Sequence, residues 1–211
     1  RFRADALFLI DGGGFIVFDG CTFNGTEQPK FVVTNGAKVK IHNCYLADGT
    51  PVEEPEPINN VTWLYHGGKY ASNFGDMGDR FFITEPVPLK SGLGYEQIEI
   101  HDNDPTVGYK SGMASKTKID VTNYSKLIVL ISGHNNESTD GRFQTALYTS
   151  DEKAPSITTN RAHYNMAVTP KPIVLNLANY SGEYFILVHN YSTTAGRGVN
   201  RTKIHGVGLV P

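Results

Sequence analysis

The chain has 211 residues, 39% hydrophobic and 19% charged, with a formal net charge of −2 at pH 7. That is enough apolar material for a packed core. The Lys and Arg residues are scattered, with no basic stripe and no aromatic-basic interleaving, which argues against nucleic acid. No apolar run approaches the roughly 20 residues of a membrane span, so no membrane insertion is expected.

Arg1 rather than Met opens the sequence, and residues 6–10 are too short and wrongly flanked for a secretory signal. The start reads as an internal cut, with upstream sequence expected. Residues 8–26 then superimpose on residues 31–49 without a gap. Phe8 matches Phe31, Ile10 matches Val33, Gly13 matches Gly36, Ile16 matches Val39, Phe18 matches Ile41, Cys21 matches Cys44 and Phe23 matches Leu46. Each unit holds three short alternating runs, with Gly12-Gly13-Gly14 or Asn35-Gly36-Ala37 between the first two. Such a pattern describes one coil of a solenoid, whose apolar residues are buried only when coils stack about 4.8 Å apart. Phe18, Cys21, Phe23, Ile41, Cys44 and Leu46 are the expected stacked core columns. The two cysteines read as small buried apolar residues; a disulfide between coils is the alternative, and it would imply an oxidising compartment.

The phrases Val17-Phe18-Asp19-Gly20-Cys21-Thr22-Phe23 and Lys40-Ile41-His42-Asn43-Cys44-Tyr45-Leu46 resemble the right-handed parallel β-helices of phage tail spikes and polysaccharide lyases. The resemblance implies that residues 1–50 form the C-terminal end of a longer solenoid of 23-residue coils. Two coils alone bury little, so further coils upstream or partner chains are expected to cover the open end.

Residues 51–60 combine three prolines with three glutamates and read as an extended connector. Residues 61–211 form the second expected domain. Short runs rich in β-branched and aromatic residues at 80–84, 97–101, 117–121, 126–132, 142–149, 172–177, 184–190 and 202–210 predict a jelly-roll-like β-sandwich. No stretch sustains helical periodicity, so the fold class is all-β. Two phrases repeat: residues 119–132 and 175–190 each read as strand, Asn-Tyr-Ser turn, strand. This half resembles the β-sandwich modules at the C-terminus of phage tail proteins, which are similar in plan to carbohydrate-binding modules.

Candidate saccharide contacts are aromatic and polar. Trp63 and Tyr65 follow the connector and either stack on a sugar face or fill a joint between domains or subunits. Tyr109, His163, Tyr164, His189 and Tyr191 would line a groove if their loops met at one end of the sandwich. Seven N-x-S/T sequons occur, three of them Asn-Tyr-Ser, and turn chemistry accounts for them better than glycans. Asp102-Asn103-Asp104 opens like a calcium loop but lacks Gly at the sixth position and Glu at the twelfth, so no metal is expected. Asp11, Asp19 and Asp48 supply no persuasive acid pair for glycan hydrolysis. No nucleophile elbow, P-loop or zinc-helix motif is present. Neither a catalytic residue nor a cofactor is assigned.

The resemblance implies a phage tail spike or appendage tip, a virion structural protein that attaches to a host-surface glycan or protein outside the cell. Three chains side by side would multiply weak sites and bury the open solenoid end, so a homotrimer in contact with other tail proteins is expected. Two alternatives stand beside it. One is a polysaccharide depolymerase, hydrolase or lyase, whose groove lies upstream or between subunits. The other is a secreted bacterial adhesin or carbohydrate-binding module.

Overall fold

The computed structural model of the chain describes residues 2–3, 7–77, 89–91, 94–100, 108–136, 142–149, 161–164, 173–192 and 200–211. All of its regular elements are strands. Arg1–Val61 makes the body of one compact unit, and Thr62–Val168 with Pro172–Leu209 the body of a second.

In the first unit the strands are β1 (Phe2–Arg3), β2 (Leu7–Asp11), β3 (Phe15–Asp19), β4 (Thr22–Asn24), β5 (Lys30–Thr34), β6 (Lys38–His42) and β7 (Tyr45–Leu46). Strand β2 pairs with β5, β3 with β6, and β4 with both β1 and β7, all parallel. Phe8 faces Phe31, Ile16 faces Val39, Phe18 faces Ile41 and Phe23 faces Leu46, each 23 residues apart. The corners follow the same offset. Gly12 and Gly13, both at φ 66°, sit one layer from Asn35 (52°) and Gly36 (83°), and Gly20 (63°) sits one layer from Asn43 (49°). A left-handed corner is open to Gly and tolerable for Asn, so the layers turn at equivalent points.

Inside, Phe8, Phe18, Phe23 and Phe31 form a cluster in which every ring is within 6.3 Å of every other, with Phe8 and Phe31 stacked at 5.0 Å. Offset and edge-on contacts of this kind add to the gain from burial. Ile10, Val33, Val39, Cys44 and Leu46 complete the core, with Cys21 and Ile41 packed against it. Residues 51–60 do not stand clear of this unit. Ile58 bridges Thr34 in parallel, Val52 N–H donates to the Cys44 carbonyl at 2.9 Å, and Val52 is buried. Glu54 accepts from Ile41 N–H at 3.3 Å and pairs with Lys40, and these donors hold its carboxyl below the usual range. The proline-rich stretch therefore lies along β5 and β6 as a partial further layer.

The second unit contains β8 (Thr62–His66), β9 (Lys69–Tyr70), β10 (Phe74–Asp76), β11 (Glu96–Ile100), β12 (Gly108–Ser115), β13 (Ile119–Asp120), β14 (Lys126–Asn136), β15 (Arg142–Tyr148), β16 (Arg161–Tyr164), β17 (Ile173–Asn176), β18 (Glu183–Ser192) and β19 (Asn200–Val210). One antiparallel sheet runs β10-β12-β18-β15-β16, with β13 on β18; the other runs β17-β14-β19-β8-β9, with β11 on β19. A single apolar cluster takes Phe74, Met113, Leu147, Ile186 and Val188 from the first sheet and Leu64, Val129, Leu175, Val207 and Leu209 from the second. The architecture is therefore a sandwich of two open antiparallel sheets.

Seven of the expected strands fall on β11, β13, β14, β15, β17, β18 and β19, while 80–84 lies outside the described residues. Strands β8, β9, β10, β12 and β16 are additions to the sequence reading. The composition of β12, Gly-Tyr-Lys-Ser-Gly-Met-Ala-Ser, suggests a turn, yet it occupies an interior place between β10 and β18. Packing explains the choice of residue. A Cβ on Gly112 would lie 2.6 Å from the Val188 carbonyl oxygen, from His189 Cβ and from Met77 Sδ. Because the Val188 oxygen is backbone of the neighbouring strand, it has little room to retreat. Gly112→Ala is expected to cost on the order of 3 kcal/mol, seen as a lower denaturant midpoint; an unchanged midpoint would mean that the strands separate freely at this level.

Candidate functional site

The two ends of the sandwich differ. At one end, Leu177 N–H donates to the Ser125 carbonyl at 2.7 Å and Val121 N–H to the Gly182 carbonyl at 3.0 Å, which closes the two Asn-Tyr-Ser turns against each other. Asp120 caps the first by accepting from Thr122 N–H at 2.9 Å and from its hydroxyl, and these bonds lower the Asp120 pKa. Asn176 caps the second by accepting from Ala178 N–H at 2.9 Å. The opposite end gathers the ends of β11, β14, β16 and β18 and the starts of β12, β15 and β19. There the chain passes between strands through 101–107, 137–141 and 193–199, which lie outside the described residues, as does the Asp102-Asn103-Asp104 phrase.

Strand register at that end draws several candidate positions together. Tyr109 pairs with Tyr191, which pairs with Arg142, giving one row across β12, β18 and β15. Gly112, His189, Gln144 and His163 form the next row on the same face, continued across β16. Between the rows β12 carries one extra residue, a bulge of the kind that re-aims a strand near binding sites. Tyr164 pairs with Phe143 in the intervening row and so belongs to the other face. His189 is fully buried, which removes it from the surface, although its row shares the face with Tyr109 and Tyr191. The sequence reading placed these residues on loops. Tyr109, His163, Tyr164, His189 and Tyr191 stand instead on three strands, β12, β16 and β18, whose spatial order differs from their chain order.

Trp63 and Tyr65 part company on β8. Along β19, Val207 faces Tyr65 and Gly208 faces Trp63, so Leu64 is an extra residue in β8. The bulge lets Leu64 and Tyr65 both enter the core, while Trp63 stays half-buried on the outer face, stacked on His66 at 4.6 Å and 21° and resting against Gly206. Tyr65, fully buried, is a core residue and not a surface contact.

A second polar cluster escaped the sequence reading. Glu96 on β11 is only 3% exposed, and its Oε2 has no hydrogen-bond partner among the described residues. Burial, reinforced by the charge of Asp76, raises its pKa. Burial and then Glu96 in turn raise the pKa values of Tyr65 and Tyr70, whose rings lie 4.8 Å apart. Glu96 carried little signal because it stands at a strand start beside Tyr95, where a surface acid is the ordinary expectation. Arg142 was likewise legible only as the first residue of a strand. Among the described residues no group of three or more His, Cys, Asp or Glu side chains is placed to hold a metal ion.

No protein-family model and no curated protein sequence matches the chain. Among solved structures, the enzymatically active domain of tailspike protein 4 of bacteriophage CBA120 aligns over 96% of this chain and 38% of its own, at 12% identity and a TM-score of 0.41. The C-terminal CBM6 of LamC from Zobellia galactanivorans aligns over 66% of this chain and 100% of its own, at 13% identity and 0.36. The CBM35 from Paenibacillus barcinonensis covers 70% and 97%, at 13% and 0.33. The fold is defined by the strand pairing above, since likenesses this low carry no weight for function.

The Glu96 arrangement has a pH signature. Its pKa in the folded protein is raised above the unfolded value of about 4.3, so its contribution is fully present below that pH and is lost as pH rises through the folded-state value. Glu96→Gln should therefore melt above the unmodified chain at pH 7, with the gap shrinking toward pH 4. A gap that is constant with pH would show that Glu96 keeps its ordinary pKa.

Proposed function

We propose that the second unit is a saccharide-attachment sandwich whose contact surface is the end opposite the two Asn-Tyr-Ser turns, with Tyr109, Tyr191 and Arg142 as its centre. The cross-strand row formed by these three residues carries the reading. Tyrosines offer flat apolar area for the C–H face of a sugar at low entropic cost, and a guanidinium donates to hydroxyl or carboxylate oxygens in a fixed fork. His163, in the adjacent row of the same face, adds a polar partner. The row and its neighbours stand on paired strands, which fix the spacing of their backbones.

In the same reading the first unit is the end of a right-handed parallel β-helix of 23-residue coils. The in-register parallel pairing and the matched corners support it. The chain as a whole is then the distal part of a phage tail spike or appendage, a homotrimer on the virion that holds a host-surface polysaccharide. Phe15 and Val17, both more than half exposed on β3, supply the apolar outer surface that side-by-side packing of chains would cover.

Affinity electrophoresis of the full chain in gels cast with host capsular or lipopolysaccharide glycans tests the attachment. Tyr191→Ala and Arg142→Ala should each weaken retardation at least tenfold, whereas Trp63→Ala, a packing residue in this account, should lower stability and leave retardation intact. Loss of binding in Trp63→Ala alone would move the site to the β8 face. Sedimentation equilibrium tests the trimer, and a monomer at all concentrations would remove it.

A further inference from the structure

Outside the saccharide reading, and independent of it, the first unit brings its two cysteines together. Thr22 and Tyr45 are paired in the parallel register of β4 and β7, and Cys21 and Cys44 are the residues immediately before them. Tyr45 N–H donates to the Cys21 carbonyl at 3.0 Å, which fixes the two backbones side by side at this point. Neighbouring strands lie about 4.8 Å apart, within the roughly 4.4–6.8 Å Cα separation that a disulfide spans. Both thiols are free. Their surroundings differ: Cys44 is 3% exposed and its thiol donates to the carbonyls of His42 and Phe18 at 3.1 and 3.4 Å, whereas Cys21 is half-buried at the edge of the core.

We propose that Cys21 and Cys44 form a reactive dithiol, in which Cys21 takes up a small-molecule disulfide and Cys44 resolves it into a disulfide joining adjacent layers. The first step is attack of the Cys21 thiolate on one sulfur of the reagent, breaking its S–S bond and releasing one reagent thiolate. In the second, the Cys44 thiolate attacks Cys21 Sγ, the protein disulfide forms and the second reagent thiolate leaves. Two protein thiols are oxidised, one reagent disulfide is reduced to two thiolates, and the two thiol protons go to solvent. Exposure decides the order, since only Cys21 is open to the reagent. Burial, and the neighbouring Cys44, hold the Cys21 thiol above its ordinary pKa, so thiolate is scarce near neutrality and the reaction should quicken toward alkaline pH. The bond would tie two layers otherwise held by parallel backbone bonds and close a loop within the unit, an arrangement suited to an oxidising exterior.

The test uses the reduced full chain and an aromatic disulfide whose released thiolate is coloured. Each chain should release two thiolates, retain no reagent and end two hydrogens lighter by intact mass. Cys44→Ser should stop at one thiolate with one reagent group attached, and Cys21→Ser should react at least tenfold more slowly. The oxidised chain should melt on the order of 10 °C above the reduced one. An unmodified chain that ends carrying one or two reagent groups overturns the proposal, as does an oxidised chain that melts below the reduced form.

Discussion

Each Asn-Tyr-Ser turn of the second unit is fastened by the strand that leads into or out of the other. The bond from Leu177 to Ser125 prolongs the β14–β17 ladder of one sheet, and the bond from Val121 to Gly182 prolongs the β13–β18 ladder of the other. Both turns therefore cross between sheets, in opposite directions, and their mutual bonds fix the spacing of the sheets at that end. Gly182 N–H also donates to the Thr122 hydroxyl at 2.9 Å, so the capped residue of one turn satisfies the exit of the other. Asp120 in turn holds that hydroxyl and the Thr122 N–H, so one carboxylate orients the groups through which the two turns meet. The remaining geometry, including the row of Tyr109, Tyr191 and Arg142 at the far end, is measured from this joint.

Legibility in the sequence followed the physics of repetition. The 23-residue offset could be read because stacked layers demand like residues at like positions, and Phe8 over Phe31 or Gly20 over Asn43 satisfy that demand locally. The duplicated turn phrase was legible for the same reason. Strand β12 was not, because a strand pressed against neighbours on its faces selects small residues, and Gly112 or Ala114 looks like a loop until Val188 is known to lie beside it. Strand β8 was hidden by its bulge: Trp63-Leu64-Tyr65 breaks the alternation that identifies a strand, and only pairing with β19 shows that Leu64 is the extra residue.

The candidate site was legible as a set of residue types and not as a place. Tyr109, His163 and Tyr191 are far apart in the chain, and the order β12-β18-β15-β16 that aligns them is absent from local patterning. Composition also misjudged depth. Tyr65 and His189 carry the polar-aromatic character of contact residues, yet both are buried.

The stretch from 51 to 60 bears on how the first unit behaves in a crowded solution. Strands β5 and β6 would otherwise offer a row of unpaired backbone groups, a template on which a further strand from any chain can grow. Ile58 occupies part of that row through its bond to Val33, and Val52 continues the cover just past β6 through its bond to Cys44. Pro51, Pro55 and Pro57, having no N–H, make the covering stretch itself a poor surface for the next addition. The same prolines that break the 23-residue pattern thus make that side of the stack a poor template for sheet growth.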